Sequence, residues 1–188
     1  MPNLQRTLLW KSLYTPGAEY FNLWQDDDGW RLEGTVMLAL SGYPTQVRYK
    51  VVCNAQWETR AVDVEMQTGA TTRTLQLTVD ERRRWRIGED ELRRVRGCFD
   101  VDLSITPATN TLPIRRLNLP IGESMEVTAA WVRFPELTVE PLVQKYIHFD
   151  PNHYWYQSEL SDKIWNLEVD ELGLVRRYVD GWEREAVI

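Results

Sequence analysis

Hydrophobic and polar positions alternate along most of this chain with a period of two, in runs of roughly five to nine residues. In residues 45–53, Val47, Tyr49, Val51 and Cys53 share one face; in residues 74–79, Leu75, Leu77 and Val79 do the same. This alternation marks half-buried strands. Further strands are predicted at residues 34–40, 56–66, 85–88, 91–96, 124–134, 137–139, 143–149, 154–159, 164–170 and 174–178. Turn signals punctuate them, among them Ser41-Gly42-Tyr43-Pro44 and Glu171-Leu172-Gly173. Helix signals are poor. Residues 4–14 read either as one short helix, with Trp10 and Tyr14 on a face, or as a first strand. Many short strands with frequent turns predict an all-β protein, a single antiparallel sheet curled into an open or closed barrel with at most one short helix. No repeat or linker divides residues 1–188, so one domain is expected.

One stretch departs from plain alternation: Gly97-Cys98-Phe99-Asp100-Val101-Asp102-Leu103-Ser104-Ile105-Thr106-Pro107-Ala108-Thr109-Asn110-Thr111-Leu112-Pro113-Ile114-Arg115-Arg116-Leu117. It starts as a strand with Val101, Leu103 and Ile105 on one face and Asp100, Asp102 and Ser104 on the other. A polar turn between Pro107 and Pro113 follows, then paired arginines. On a strand, Asp100 and Asp102 stand about 6.5–7 Å apart along the chain. That lies within the broad range of carboxylate pairs in glycoside hydrolysis, about 5–9.5 Å. The same two side chains equally suit a charged face paired with Arg115 or Arg116. Asn110 and its neighbouring hydroxyls suit a sugar's hydroxyl groups, and a free guanidinium suits an anionic head group.

This stretch closely resembles the signature of a bacterial family labelled glycolipid-binding, formerly a domain of unknown function. Residues 47–60 (VRYKVVCNAQWETR), 129–146 (AAWVRFPELTVEPLVQKY) and 169–184 (VDELGLVRRYVDGWER) resemble the same family in the same order. The resemblance implies a fold similar to the unclosed barrels of bacterial lipoprotein carriers. It also implies non-catalytic binding of a small amphiphile or glycolipid on a concave face.

The aromatic inventory fits that expectation. Nine Trp and eight Tyr give many side chains with an apolar body and a polar tip. Trp57, Trp131, Tyr146 and Tyr156 are the candidate walls; Asp100, Asp102, Asn110 and Arg115 are the candidate head-group contacts. Buried methylenes contribute about 0.8 kcal/mol each, so a modest alkyl pocket would suffice for micromolar binding.

Charge and motifs narrow the function classes. The net charge of −6 argues against nucleic acid as a partner. The arginines between Arg82 and Arg96 interleave with Glu89-Asp90-Glu91, which predicts a solvated, salt-bridged hairpin. The longest apolar runs fall far short of a membrane span, and no secretory signal is visible, so a cytoplasmic location is expected. Cys53 and Cys98 are expected as buried free thiols. Two histidines without a third ligand at diagnostic spacing predict no metal, and no glycine-rich motif calls for a cofactor. No nucleophile stands beside a base, so binding is favoured over catalysis. The alternatives are an enzyme on a sugar or lipid-like substrate using Asp100 and Asp102, and a protein-interaction module with a surface aromatic patch.

Overall fold

The alternating runs pair into one sheet of fifteen strands. The computed structural model describes residues 2–188, so Met1, the first residue of the expected single domain, lies outside the described residues. The first six strands form a meander: β1 (Asn3–Ser12), β2 (Gly17–Gln25), β3 (Gly29–Leu40), β4 (Tyr43–Asn54), β5 (Thr59–Thr68) and β6 (Thr71–Val79). Two short strands, β7 (Trp85–Ile87) and β8 (Asp90–Glu91), end that side of the sheet. After β9 (Val101–Leu103) a second meander comprises β10 (Ser124–Arg133), β11 (Thr138–Asp150), β12 (His153–Ser158), β13 (Trp165–Val169), β14 (Val175–Tyr178) and β15 (Trp182–Val187). β15 pairs with β1, and this pairing joins the two meanders. Every pairing is antiparallel except β9 on β10.

The sheet curls. Its strand order is linear from β8 to β9, with no pairing between its edges among the described residues. The two sides nonetheless meet. Arg73 of β6 donates to the Pro135 carbonyl in the β10–β11 turn at 3.1 Å. The Thr59 amide donates to the Phe99 carbonyl at 3.0 Å, and the Val101 amide donates to Thr59 Oγ1 at 3.1 Å. Trp85 Nε1 donates to the Cys98 carbonyl at 3.0 Å. The segment entering β9 thus seals the gap in place of a strand ladder.

Several expectations are refined. Residues 4–12 are strand, because Leu8 and Trp10 are in phase with the buried face, and Leu13 and Tyr14 lie in the turn that follows. β2 and β15 had no prediction; Phe21 and Leu23 carry the inward face of β2. The strands expected at 137–139 and 143–149 merge into one, β11, which starts at Thr138 and has Pro141 inside it, while Leu137 stays in the turn before it. Residues 91–96 do not form a strand; β8 stops at Glu91 and a 3-10 turn covers Arg93–Val95. The strand expected from Gly97 shrinks to three residues. A 3-10 turn at Ala108–Asn110 and a helix, α1 (Thr111–Leu117), follow. Pro113 is tolerated there because it sits in the first helical turn, where its missing N–H has no partner to lose. The helix stops at Asn118, whose φ of 43° is left-handed.

The expected polar turn at residues 106–111 is in fact a plug. Thr106, Thr109 and Thr111 are buried, as are Ala108, Leu112 and Ile114. This connection separates two apolar clusters. Val101, Leu103, Ile105, Ala108 and Leu112 pack into the first, with β1–β7; Ile114 packs into the second, with Tyr146, Tyr154, Tyr156 and Leu167.

Candidate functional site

The polar face of β9 meets the aromatic face of β10–β14, and a cavity of about 190 Å³ lies between them. Register explains the aromatics. Trp131 stands opposite Asp102 across the β9–β10 pairing. Tyr156 stands opposite Trp165 across β12–β13, and their rings lie 5.7 Å apart at a 35° tilt. Tyr178 meets Trp165 edge-on at 6.4 Å. These four rings line the cavity with Leu142 and Leu160, while Asp102, Ser104, Thr106, Asn110 and Ser158 supply polar atoms.

Asp102 is the cavity's one carboxylate among the described residues. Gln144 Nε2 donates to Asp102 Oδ2 and, at 3.1 Å, to the Tyr156 hydroxyl. Burial pushes the Asp102 carboxyl up to about 6, against the stabilising Gln144 bond. Asn110 is fixed from both ends: its Nδ2 donates to the Pro107 carbonyl at 3.2 Å, and its Oδ1 accepts from the Tyr146 hydroxyl at 3.0 Å.

Behind the cavity wall lies a second carboxyl. Glu19 on β2 is fully buried and in phase with Phe21 and Leu23. Thr106 Oγ1 donates to Glu19 Oε2 at 2.7 Å, and the Tyr49 hydroxyl bonds Oε1. Burial drives the Glu19 carboxyl up to about 8, outweighing both bonds. Thr106 therefore touches the cavity on one side and Glu19 on the other.

Residues 7–184 match the model of a family described as "Putative glycolipid-binding". The chain belongs to this family. A crystal structure of a DUF1089 family protein from Pseudomonas aeruginosa is similar to it, with 34% identity, a TM-score of 0.77, and coverage of 85% of this chain and 88% of that one. No curated protein matches the chain.

The structure divides the eight candidate residues into two groups. Asp102, Asn110, Trp131 and Tyr156 come together around the cavity. Tyr146 stands behind Asn110, 1% exposed, with its ring 5.2 Å from Tyr156. Asp100, Arg115 and Trp57 do not line the cavity. Asp100 is 1% exposed and takes a bidentate pair from Arg116, whose Nε lies 2.9 Å from Oδ1 and Nη2 2.5 Å from Oδ2. The guanidiniums of Arg83 and Arg116 both lie over the Phe99 ring, at 4.1 and 4.6 Å. Arg115 reaches the Glu171 carbonyl at 3.3 Å and lies 5.6 Å from the Trp57 ring. Trp57 is stacked on Trp30 at 4.2 Å and belongs to the apolar core.

Sequence reasoning missed Trp165, Tyr178, Gln144 and Glu19. Trp165 and Tyr178 were legible as strand residues, but their place at the cavity depends on register. Gln144 and Glu19 carried a readable signal: each is a polar residue in phase with buried neighbours, Leu142 and Tyr146 for one, Phe21 and Leu23 for the other.

The expected charged hairpin is present. Arg84 pairs with Asp80 at 2.7 Å and Arg96 with Glu91 at 2.6 Å. Cys53 and Cys98 are buried and free. Among the described residues no cluster of His, Cys, Asp or Glu could hold a metal ion, and no helix is long and apolar enough to cross a membrane.

Proposed function

We propose that this protein binds a glycolipid by its sugar, in the cavity walled by Trp131, Tyr156, Trp165 and Tyr178, without turning it over. The observation that carries this reading is the mixed lining of a small cavity: aromatic faces on one side, one carboxylate with neutral hydroxyl and amide groups on the other. A pyranose ring has the same division, with C–H faces that stack on rings and a rim of hydroxyls that need short neutral partners. About 190 Å³ is below the ~300–1,000 Å³ of drug-sized sites, so one sugar ring is the natural occupant and the alkyl chain lies outside.

This moves the expected site. Of the expected walls Trp57, Trp131, Tyr146 and Tyr156, only Trp131 and Tyr156 line the cavity and Trp57 lies in the apolar core, which supports a head-group cavity over an acyl pocket. The enzymic alternative needs Asp100 and Asp102 together at a substrate, and Asp100 is committed to Arg116. The protein-interaction alternative has no observation at this cavity in its favour.

Titration with an alkyl glucoside and with a sugar-free detergent of equal chain length tests the reading. The glucoside should shift Trp emission to the blue, saturably and below its micelle concentration, and the sugar-free detergent should not. Trp131→Ala should remove the response without unfolding the protein. Equal responses to the two detergents would sink the proposal.

A further inference from the structure

The ends of the sheet differ in chemistry. Because the pairings are antiparallel through both meanders and through β15–β1, the turns after β1, β3, β5, β10, β12 and β14 all gather at one end. Two bonds tie neighbouring turns together there: the Ala39 amide donates to the Pro16 carbonyl at 3.1 Å, and the Leu13 amide to the Gly181 carbonyl at 2.8 Å.

Three adjacent tips at this end, residues 12–17, 40–44 and 68–71, contain no acidic or basic side chain. They raise Tyr14 and Tyr43 into solvent at 58% and 65% exposure. Between them runs an apolar groove of about 480 Å³ flanked by Pro16, Met37, Ala39 and Pro44. Farther round the same end, Leu160 and Ile164 are exposed beside the cavity mouth. The other turns at this end carry charge, Glu136 after β10, Glu159, Asp162 and Lys163 after β12 and Asp180 after β14, and of these Lys163 and Asp180 pair with each other at 2.7 Å. The opposite end is more densely charged. Its turns carry Asp26-Asp27-Asp28, Asp80-Glu81-Arg82 and Asp170-Glu171.

We infer that the three uncharged tips dock on the surface of an electrically neutral lipid bilayer, through Tyr14, Tyr43 and Met37. Tyrosine has the ring for the acyl boundary and the hydroxyl for the headgroup layer. Separate protruding tips with a groove between them suit a fluid surface, which moulds around them. A folded partner would need matching protrusions to fill the groove. Charge selects the lipid: a chain of net charge −6 is repelled by anionic headgroups, while its uncharged tips meet zwitterionic ones without penalty. This inference goes beyond the sugar-cavity reading and does not rest on it.

Flotation with phosphatidylcholine vesicles containing no sugar lipid tests the docking surface alone. The wild-type protein should float with the vesicles, and replacing part of the lipid with phosphatidylglycerol should reduce the floated fraction. The double variant Tyr14→Asp/Tyr43→Asp should keep its thermal unfolding profile and partition at least about tenfold less. Phe149→Asp, at the opposite end, should float like wild type. Wild-type protein left in the aqueous fraction, or a double variant that floats equally well, overturns the inference. So does a dimer split by Tyr43→Asp with no vesicle binding, which would give the surface to a second copy of this chain.

Discussion

At the residue scale, the carboxyls of Asp100 and Glu19, which are buried, and of Asp102, which is half-buried, sit in three different environments. Asp100 has a bidentate guanidinium, with 2% of its side chain exposed. Removing it strands a mostly buried Arg116, so Asp100→Ala should cost about 3 kcal/mol in denaturant unfolding. A loss near zero would mean Arg116 simply swings out to solvent. Glu19 has only neutral partners. Between its ordinary 4.5 and about 8, the folded state keeps a proton that the unfolded state has released. Stability should therefore fall as pH rises through that window, with a limiting slope of ~1.4 kcal/mol per pH unit. Glu19→Gln should flatten the slope and leave the variant more stable than wild type at the upper end. An unchanged slope in chemical denaturation would show that Glu19 is not its source. Asp102 sits between these cases, raised to about 6 with a single amide donor. An ionised Asp102 is the better acceptor for a sugar hydroxyl. Glucoside affinity should therefore rise as pH rises through about 6, and Asp102→Asn should abolish that rise.

At the element scale, close packing of two strands tests the centre of the sheet. Gly34 of β3 lies opposite Tyr49 of β4, and a Cβ on Gly34 would fall 2.3 Å from the Tyr49 ring. Gly34→Ala must therefore push the ring aside and disturb its bond to Glu19. A loss of about 1–3 kcal/mol is expected, measured by thermal unfolding. Full retention of stability would mean that the ring has room to move. The meanders themselves were legible, because period-two alternation survives wherever one strand face is buried. β11 shows where that reading fails: Pro141 reads as a break, yet it only removes one donor from a strand that continues. The β9–α1 connection was the least legible element. Residues 106–117 look polar and turn-rich, but their hydroxyls are satisfied inside: Thr111 Oγ1 donates to the Gly173 carbonyl at 3.1 Å, and Thr109 accepts from the Leu103 amide at 3.3 Å. A helix of seven residues has no stability of its own, so only tertiary packing of Leu112 and Ile114 specifies it. Local pattern could not reveal a segment whose structure is imposed by its surroundings. The same holds for the site: Asp102, Asn110, Trp131 and Tyr156 were readable as candidates, whereas which of the eight would share a cavity depended on this connection.

At the scale of the whole molecule, the plug decides what kind of ligand fits. A curled sheet rich in inward aromatics suggests an alkyl channel, yet the connection through Ala108, Leu112 and Ile114 fills the space between the two halves. What remains is a short cavity opening near Leu160, at the end of the sheet that bears the three uncharged tips. A sugar held there leaves its alkyl chain at the rim, lying against exposed Leu160 and Ile164, where only one side of the chain leaves water. An enclosed acyl pocket would add up to ~0.8 kcal/mol of affinity per methylene until full. A rim groove should add about half of that or less, and the increment should fade once the chain passes the rim. Calorimetric titration of glucosides from hexyl to dodecyl, each below its micelle concentration, separates these cases. The expected series is shallow in chain length and steep in the sugar, with Trp165→Ala weakening every member by a similar factor. A slope at the full methylene value across the whole series would place the chain inside the protein. It would require the Ala108–Ile114 segment to move aside on binding, which hydrogen exchange of its amides would register as lost protection.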